Sequence, residues 1–126
     1  MSDKKEIVEK INASFAANNP EGFLAFCAED VEWTIIGEKA VKGKGAIREW
    51  MASMKDMEPP KFTVDKIVEG DSVAAYGDMK MKDKEGKTVP YGYCDIYRFS
   101  GDKIAELRSF VVKTQSETQD ERKAAA

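Results

Sequence analysis

The sequence predicts an α+β fold, in which helices come first in the chain and an antiparallel sheet follows. Apolar residues recur every three or four positions in several stretches of the first half, which is the period of a helix. After Pro60 the apolar period changes to two and stays there up to residue 113. Helices and strands that each bury one face, in this order, predict helices packed on one curved sheet.

Length and charge exclude several classes of protein. The 126 residues, of which 42% are hydrophobic and 34% charged, fit one domain with a single core. The net charge of −3 comes from interspersed acidic and basic residues, so we expect no nucleic-acid partner. No apolar run approaches the roughly 20 residues of a membrane helix, and the N-terminus lacks the apolar core of a signal peptide. We therefore expect no membrane association and a cytoplasmic location.

Cysteine and histidine content limits the chemistry. The chain has no histidine and two cysteines, Cys27 and Cys94. Two cysteines have neither the number nor the spacing of a disulfide framework or a zinc site. The sequence thus predicts no metal and no cofactor, and it excludes histidine-based catalytic triads.

Two helices open the chain. Asp3 followed by Glu6 forms a capping-box pattern, and the apolar spacing behind it predicts a helix over residues 3–18. The Asn-Pro pair at 19–20 predicts the start of a second helix, which we expect to end near Glu29. Both helices have apolar stripes that can pack on a sheet.

A strand and a third helix follow. Residues 31–36 are β-branched and aromatic at alternate positions, which predicts the first strand. A short extended piece over 39–42 leads to a helix that begins near Ala46. The two prolines at 59–60 prevent that helix from continuing.

Four further strands are predicted in the second half. Turn sequences at 69–71, 84–86 and 100–102 divide residues 61–113 into four segments of about 8 to 12 residues with strand periodicity. Connections as short as these predict an antiparallel meander.

The chain divides into one domain and a tail. Residues 1–113 carry all of the predicted helices and strands and form a single domain. Residues 114–126 are polar and have no apolar period, so we expect an exposed tail. The last three residues, all alanine, fit a vector scar.

One strand of the meander has a carboxylate in an aromatic pattern. Alternation places Asp95 on one face together with Tyr91, Tyr93, Tyr97 and Phe99. An aspartate in such surroundings costs free energy unless it is hydrogen-bonded, paired or protonated. We interpret Asp95 as the polar group of a pocket, with a pKa above its ordinary value. The alternative is an exposed edge strand on which Asp95 is solvated and pairs with Arg98 or Lys80.

Several short motifs resemble one known family in their order and spacing. They are FCAEDVEW at 26–33, VKGKGAI at 41–47, EGDSVA at 69–74, and CDIYRF at 94–99 followed by DKI at 102–104. With these motifs the chain resembles the NTF2-like superfamily, in its SnoaL-like and ketosteroid-isomerase-like branch. The resemblance implies a cone-shaped fold with three N-terminal helices packed on a curved, mostly antiparallel sheet. It also implies an apolar cavity between helices and sheet, and a homodimer formed through the outer face of the sheet.

The resemblance transfers the catalytic groups of the steroid isomerases only in part. The aspartate of their oxyanion hole matches Asp95, since their pattern of Asp, two apolar residues, Arg and Phe matches residues 95–99. Their general base matches Ile35, which has no proton to exchange, and their oxyanion tyrosine falls near Ile11. Because a base and an oxyanion donor each contribute orders of magnitude in rate, the sequence argues against the steroid-isomerase reaction by that mechanism.

The resemblance and the strand alternation together define candidate site residues. If the face of Asp95 lines the cavity, register across a turn at Glu85 and Gly86 brings side chains of the preceding strand inward. We predict Asp95 and Asp78 as an acid and base pair, with Lys80 deciding which of them is ionised. The alternative for Asp78 and Lys80 is a solvated cross-strand ion pair. The predicted substrate-binding residues are Trp33, Ile35, Trp50, Tyr76, Lys80, Tyr91, Tyr93, Tyr97, Ser109 and Val111.

Two functions remain open at this level. The first is a small SnoaL-like enzyme, isomerase- or cyclase-like, that acts by proton transfer on an apolar, carbonyl-bearing or polycyclic molecule, with Asp95 as acid or hydrogen-bond donor. The second is a non-catalytic domain that binds or carries such a molecule. Retention of Asp95 among tyrosines favours the enzyme, whereas the absence of histidine and the loss of the usual base favour the carrier.

A row of small and apolar residues predicts the dimer face. Alternation after Asp71 groups Val73, Ala75, Gly77, Met79 and Met81 on one side of a strand. Such a row is too apolar to face water and too small to fill a core alone. We therefore expect a second copy of the chain to cover it.

Overall fold

The computed structural model describes residues 4–54 and 60–114, which form three helices and six strands. In chain order they are α1 (Lys4–Ala16), α2 (Pro20–Leu24), β1 (Cys27–Ile35), β2 (Lys39–Lys42), α3 (Lys44–Ala52), β3 (Lys61–Glu69), β4 (Ser72–Lys82), β5 (Thr88–Ser100) and β6 (Lys103–Lys113). Within these ranges no helix has the length and hydrophobicity needed to cross a membrane.

All six strands belong to one mixed sheet. Their order across the sheet is β2-β1-β6-β5-β4-β3, so the last four strands form a meander between neighbours in sequence. Strands β1 and β6 pair in parallel, and the other four pairs are antiparallel. The predicted α+β class, the meander and the change of period after Pro60 are confirmed.

The boundary between the second helix and the first strand lies earlier than predicted. Helix α2 ends at Leu24, and β1 begins at Cys27, whereas the sequence pattern predicted a helix to about Glu29. The cause is a tertiary contact, because the backbone N–H of Ile104 donates to the carbonyl of Phe26, at 2.8 Å. Pairing with β6 therefore overrides local helix propensity here.

Some predictions fall on residues that lie outside the described ranges. They concern the capping residue Asp3, Pro59 and the tail from residue 115.

The core lies between the helices and one face of the sheet, which we call the inner face. Its fully or almost fully buried side chains come from every layer: Val8, Ile11, Phe23, Leu24, Cys27, Val31, Ile47, Val73, Ala75, Tyr97, Ile104 and Leu107. Val73 and Ala75 are therefore core residues. The prediction that their row forms an exposed dimer face is wrong, because helices of the same chain cover this end of the strand.

The loop of the hairpin between β4 and β5 explains why the two faces of β4 were exchanged in the prediction. The backbone N–H of Asp83 donates to the carbonyl of Lys87, which leaves a three-residue loop over 84–86 with Gly86 at φ 82°. The carboxylate Oδ1 of Asp83 also accepts from the backbone N–H groups of Glu85 and Lys87, at 2.8 and 2.9 Å. A two-residue turn at Glu85 and Gly86 would pair the strands one position differently, and a slip of one residue exchanges the two faces.

The observed register separates three predicted site residues from Asp95. Ala75 pairs with Asp95, so the odd-numbered side chains of β4 share its inner face. Tyr76, Asp78 and Lys80 point to the outer face and are exposed. Their predicted inward orientation is wrong, and with it the predicted Asp95 and Asp78 pair and the role of Lys80 in setting its ionisation.

Candidate functional site

Asp95 lies in the middle of β5 on the inner face. Its partner on β4 is Ala75 and its partner on β6 is Ser109. Removal of the carboxyl group from water raises its pKa from the ordinary 3.8 to about 6, and a hydrogen bond with the Ser109 side chain partly offsets that rise. The predicted upward shift is confirmed. A pKa of about 6 leaves roughly one-tenth of the carboxyl groups protonated at pH 7.

Ser109 joins Asp95 to a tryptophan from another strand. The indole nitrogen Nε1 of Trp33 donates to the Ser109 hydroxyl oxygen at 2.9 Å. The parallel pairing of β1 and β6 makes this contact possible, since Trp33 lies opposite Leu107 and Ile35 lies opposite Ser109. Ser109 itself is 5% exposed. Three predicted site residues, Trp33, Ser109 and Asp95, thus come together.

Aromatic rings extend from this point towards the third helix. The rings of Trp33 and Trp50 meet edge to face with centroids 5.1 Å apart, and Phe23 contacts Trp33 in the same way at 5.4 Å. The ammonium of Lys39 lies 5.1 Å from the centroid of the Trp50 ring. Trp50 therefore lies beside Trp33.

The inner face has a filled end and a more open end. Tyr97 and Leu107 pair with each other across β5 and β6 and are completely buried. On the other side of Asp95, the inward-facing Ile35, Tyr91 and Val111 remain partly exposed. We call these three residues the open end of the inner face. Asp95 and Ser109 lie where the filled end meets the open end.

Tyr93 has a structural contact that the sequence did not predict. Its hydroxyl donates to the backbone carbonyl of Thr63 at 2.9 Å and so reaches across β4 to β3. The strand between them has Gly77 at that position, opposite Tyr93. Strand β3 has a bulge between Val64 and Lys66 at the same place. The Tyr93 hydroxyl is thus engaged with the backbone, and burial with nearby carboxylates raises its pKa to about 12.

Tyr97 lies behind the site. It is fully buried, and its hydroxyl has no hydrogen-bond partner among the described residues. Burial raises the pKa of this phenol well above 10, so the group stays neutral. Although Tyr97 shares the face of Asp95, its side chain belongs to the core rather than to the surface that a ligand would contact.

A separate cleft of about 450 Å³ lies between α1 and β3. Two cations and two anions line it, together with Asn12 and two apolar residues; the charged residues are Lys5, Lys66, Glu9 and Asp65. Asp65 occupies the bulge of β3, which no feature of the sequence pattern predicted. This mixed charge sets the cleft apart from the aromatic surroundings of Asp95.

The described residues contain no group of three or more His, Cys, Asp or Glu side chains placed to hold a metal ion. Of the two cysteines, Cys27 is buried, and burial raises its pKa to about 12. A thiol with such a pKa is not a nucleophile near neutral pH.

Comparison with solved structures finds the same fold in several proteins. An NTF2-like protein of unknown function from Cytophaga hutchinsonii is 28% identical, with a TM-score of 0.72 over 85% of this chain and 97% of that chain. A protein with a ketosteroid isomerase-like fold from Catenulispora acidiphila, in complex with trimethylamine, is 21% identical, with a TM-score of 0.72 over 82% and 83% of the two chains. TerC, co-crystallised with polyporic acid, is 19% identical, with a TM-score of 0.75 over 94% and 97%.

Comparison with family profiles identifies the chain more directly. The search of curated proteins gave no match. The profile of the SnoaL-like domain matches residues 8–107, which run from α1 into β6 and include Asp95. A match over most of the chain, together with the fold of the solved structures, shows that the chain belongs to the SnoaL-like domain family and has the NTF2-like fold.

Proposed function

We propose that the protein binds a small apolar molecule that bears a carbonyl group at the open end of the inner face, with Asp95 as its polar anchor. The observation that carries the proposal is the raised pKa of Asp95, about 6, in a partly buried position beside aromatic side chains. A neutral carboxylic acid donates a hydrogen bond to a carbonyl oxygen, and an ionised one accepts a proton. The polycyclic ligands that we inferred from the sequence fall within this class.

The side chains around Asp95 support an aromatic or polycyclic ligand. Trp33 and Trp50 supply ring edges and faces, and Ile35 and Val111 supply apolar surface. Flat rings bury a large area against such residues and gain from edge-to-face contacts. The complex of TerC with polyporic acid supports the same class of ligand for this fold.

Proton transfer is compatible with the site. An acid or base works best when its pKa lies near the working pH, and a pKa of about 6 meets that condition. The outward orientation of Asp78 removes the second carboxyl group that we expected to share the reaction. This observation favours the second candidate function, a domain that binds or carries the molecule without converting it.

A thermal-shift comparison of two matched probes tests the binding proposal. Fluorenone and fluorene share a flat tricyclic frame, and only fluorenone has a carbonyl group. We expect fluorenone to raise the melting temperature more than fluorene does, and to do so more strongly at pH 5, where Asp95 is protonated, than at pH 8. Polyporic acid serves as a further probe. Asp95→Leu should abolish the preference for the ketone. Equal effects of both probes, or an unchanged preference in the variant, would contradict the proposal.

Hydrogen exchange separates the enzyme from the carrier. The hydrogens next to the carbonyl of 2-tetralone exchange with deuterium when a base removes one of them. If Asp95 transfers protons, the wild type should speed this exchange in D2O, and Asp95→Asn should reduce it to the uncatalysed rate. Binding of the ketone without faster exchange would support the carrier.

We also propose a homodimer formed through the outer face of the sheet. Exposed apolar side chains there include Val68, Tyr76 and Val112, at 47, 40 and 66% exposure, and Ile96 and Phe110 lie beside them, half-buried. An apolar area of this kind on a sheet face is typical of an interface between protein chains.

Tyr76→Glu should weaken that dimer. The variant puts a charge at the middle of the outer face, where a second sheet would have to desolvate it. We expect sedimentation velocity to give a dimer for the wild type and mostly monomer for the variant. Ala13→Glu adds the same charge at an exposed position of α1, which packs on the inner face, and should leave the mass unchanged. A monomeric wild type, or a variant that stays a dimer, would contradict the proposal.

A further inference from the structure

The hydrogen-bonded chain from Trp33 through Ser109 to Asp95 has a fixed direction. Indole nitrogen can only donate, so the Ser109 oxygen must accept from Trp33 in the 2.9 Å contact. The hydroxyl hydrogen of Ser109 then remains for the Asp95 carboxyl group, its cross-strand partner on the same face, and this interaction lowers the pKa of that carboxyl group. Asp95 therefore receives a hydrogen bond on the side of β6.

The direction of these hydrogen bonds determines which oxygen of Asp95 carries the hydrogen when the carboxyl group is protonated. A carboxyl oxygen that accepts from Ser109 is poorly suited to hold the acidic hydrogen, because the two hydrogens would then face each other. The hydrogen of the neutral acid therefore belongs on the other oxygen, away from Ser109. The acidic hydrogen is then available to a partner other than Ser109.

We propose that Trp33 and Ser109 are positioning residues, which hold one oxygen of Asp95 as an acceptor so that the other oxygen presents the proton to a ligand. The inference rests on the proposed function for its ligand, and it adds the residues that orient the acid. Trp33 acts at a distance, since it fixes the direction of the Ser109 hydroxyl and makes that hydroxyl a stronger donor. Neither residue needs to touch the reacting atoms.

Few charged groups lie close enough to compete with Ser109 for an interaction with the Asp95 carboxyl group. On β5 the neighbours on the same face are Tyr93 and Tyr97, both neutral phenols. Ala75 is the partner on β4, where the charges of Asp78 and Lys80 lie on the outer face. On β6, Arg108 alternates with Ser109 and is exposed on the outer face as well. Leu107 of β6 and Ile35 of β1 are apolar.

Titration of the Asp95 carboxyl carbon by NMR tests the proposal without any ligand. The resonance is assigned by its absence in Asp95→Asn. Ser109→Ala removes the donor to the anion, so the proton affinity of Asp95 should rise about tenfold. Ser109→Thr keeps the hydroxyl and should restore the wild-type value. Trp33→Phe should also raise the proton affinity, by a smaller factor, because Ser109 becomes a weaker donor and can rotate to accept from the acid.

Trp50→Phe is the matched control for Trp33→Phe. Both variants remove an indole from the same aromatic contact, but only Trp33 donates to Ser109. Trp50→Phe should leave the Asp95 titration unchanged, and circular dichroism should show that all variants keep the fold. The proposal is overturned if Ser109→Ala leaves the titration unchanged, or if the two tryptophan variants change it equally. If the variants titrate as expected and no ketone binds, the proposed function fails, whereas the positioning role of Trp33 and Ser109 is retained.

Discussion

Asp95→Asn is expected to stabilise the protein at pH 8 by up to about 3 kcal/mol and to change its stability little at pH 4. The folded site raises the pKa of the carboxyl group from 3.8 to about 6. Between these values the unfolded chain loses its proton and the folded protein keeps it, so the wild type loses stability as pH rises from about 4 to about 6. By about pH 7 the loss is nearly complete. Asparagine is neutral at every pH, so the variant does not lose stability in this way.

Urea denaturation of the wild type and the variant at pH 4 and pH 8 measures the effect. Asp78→Asn is the control, because this carboxyl group is exposed on the outer face of the neighbouring strand, and it should change stability by less than about 0.5 kcal/mol at both pH values. Marked destabilisation by Asp95→Asn at both pH values would show that Asp95 is an anion on which the fold depends. The site that we describe would then be wrong.

Gly77→Ala is expected to destabilise the protein by about 3 kcal/mol. A Cβ atom at this buried position would overlap the backbone carbonyl oxygen of Thr63 and lie 3.0 Å from the backbone nitrogen of Asp65. Both groups flank Val64 at the bulge of β3, whose backbone cannot move without breaking its pairing with β4. The added methyl group therefore forces the edge strand away from the sheet.

Gly92→Ala is the matched control in the adjacent strand. A Cβ atom there meets no other atom within 4 Å, so the free energy of unfolding should stay within about 0.5 kcal/mol of the wild type. Tyr93→Phe removes only the hydroxyl that donates to Thr63 and should cost about 1 kcal/mol. If urea denaturation gave the same stability for Gly77→Ala and Gly92→Ala, the close contact between β3 and β4 would be wrong.

The sequence predicts the elements of this fold better than their register. The two-residue apolar period and the turn residues were enough to locate β3 to β6, because both signals come from residues that are close together in the sequence. The inward or outward orientation of Asp78 and Lys80 depended on a single residue in the loop between β4 and β5. The side chain of Asp83 closes that loop, and a two-residue turn at Glu85 and Gly86 was an equally good local solution. The alternation in β4 did favour the observed register, because its small and apolar row lies on the inner face, but we assigned that row to a dimer interface.

The site was predicted as a set of residues but not as an arrangement. Trp33, Ser109 and Asp95 were all named from alternation and from the resemblance, and the structure brings them together. The hydrogen bond between Trp33 and Ser109 joins residues 76 positions apart, through a parallel pair of strands that no turn specifies. The apolar alternation likewise did not predict the bulge of β3 or its hydrogen bond with Tyr93. Both depend on Gly77, whose missing side chain leaves room for the backbone of β3.

The pKa of Asp95 in the wild-type protein tests the central claim most directly. Carbon-13 NMR of the side-chain carboxyl group, followed from pH 3 to pH 9, gives this value without assuming any ligand or reaction. A partly buried acid beside aromatic residues should titrate near pH 6. A midpoint at or below the ordinary value of 3.8 would show a solvated or paired carboxylate, and that result would contradict the account of Asp95 as the acid of the site.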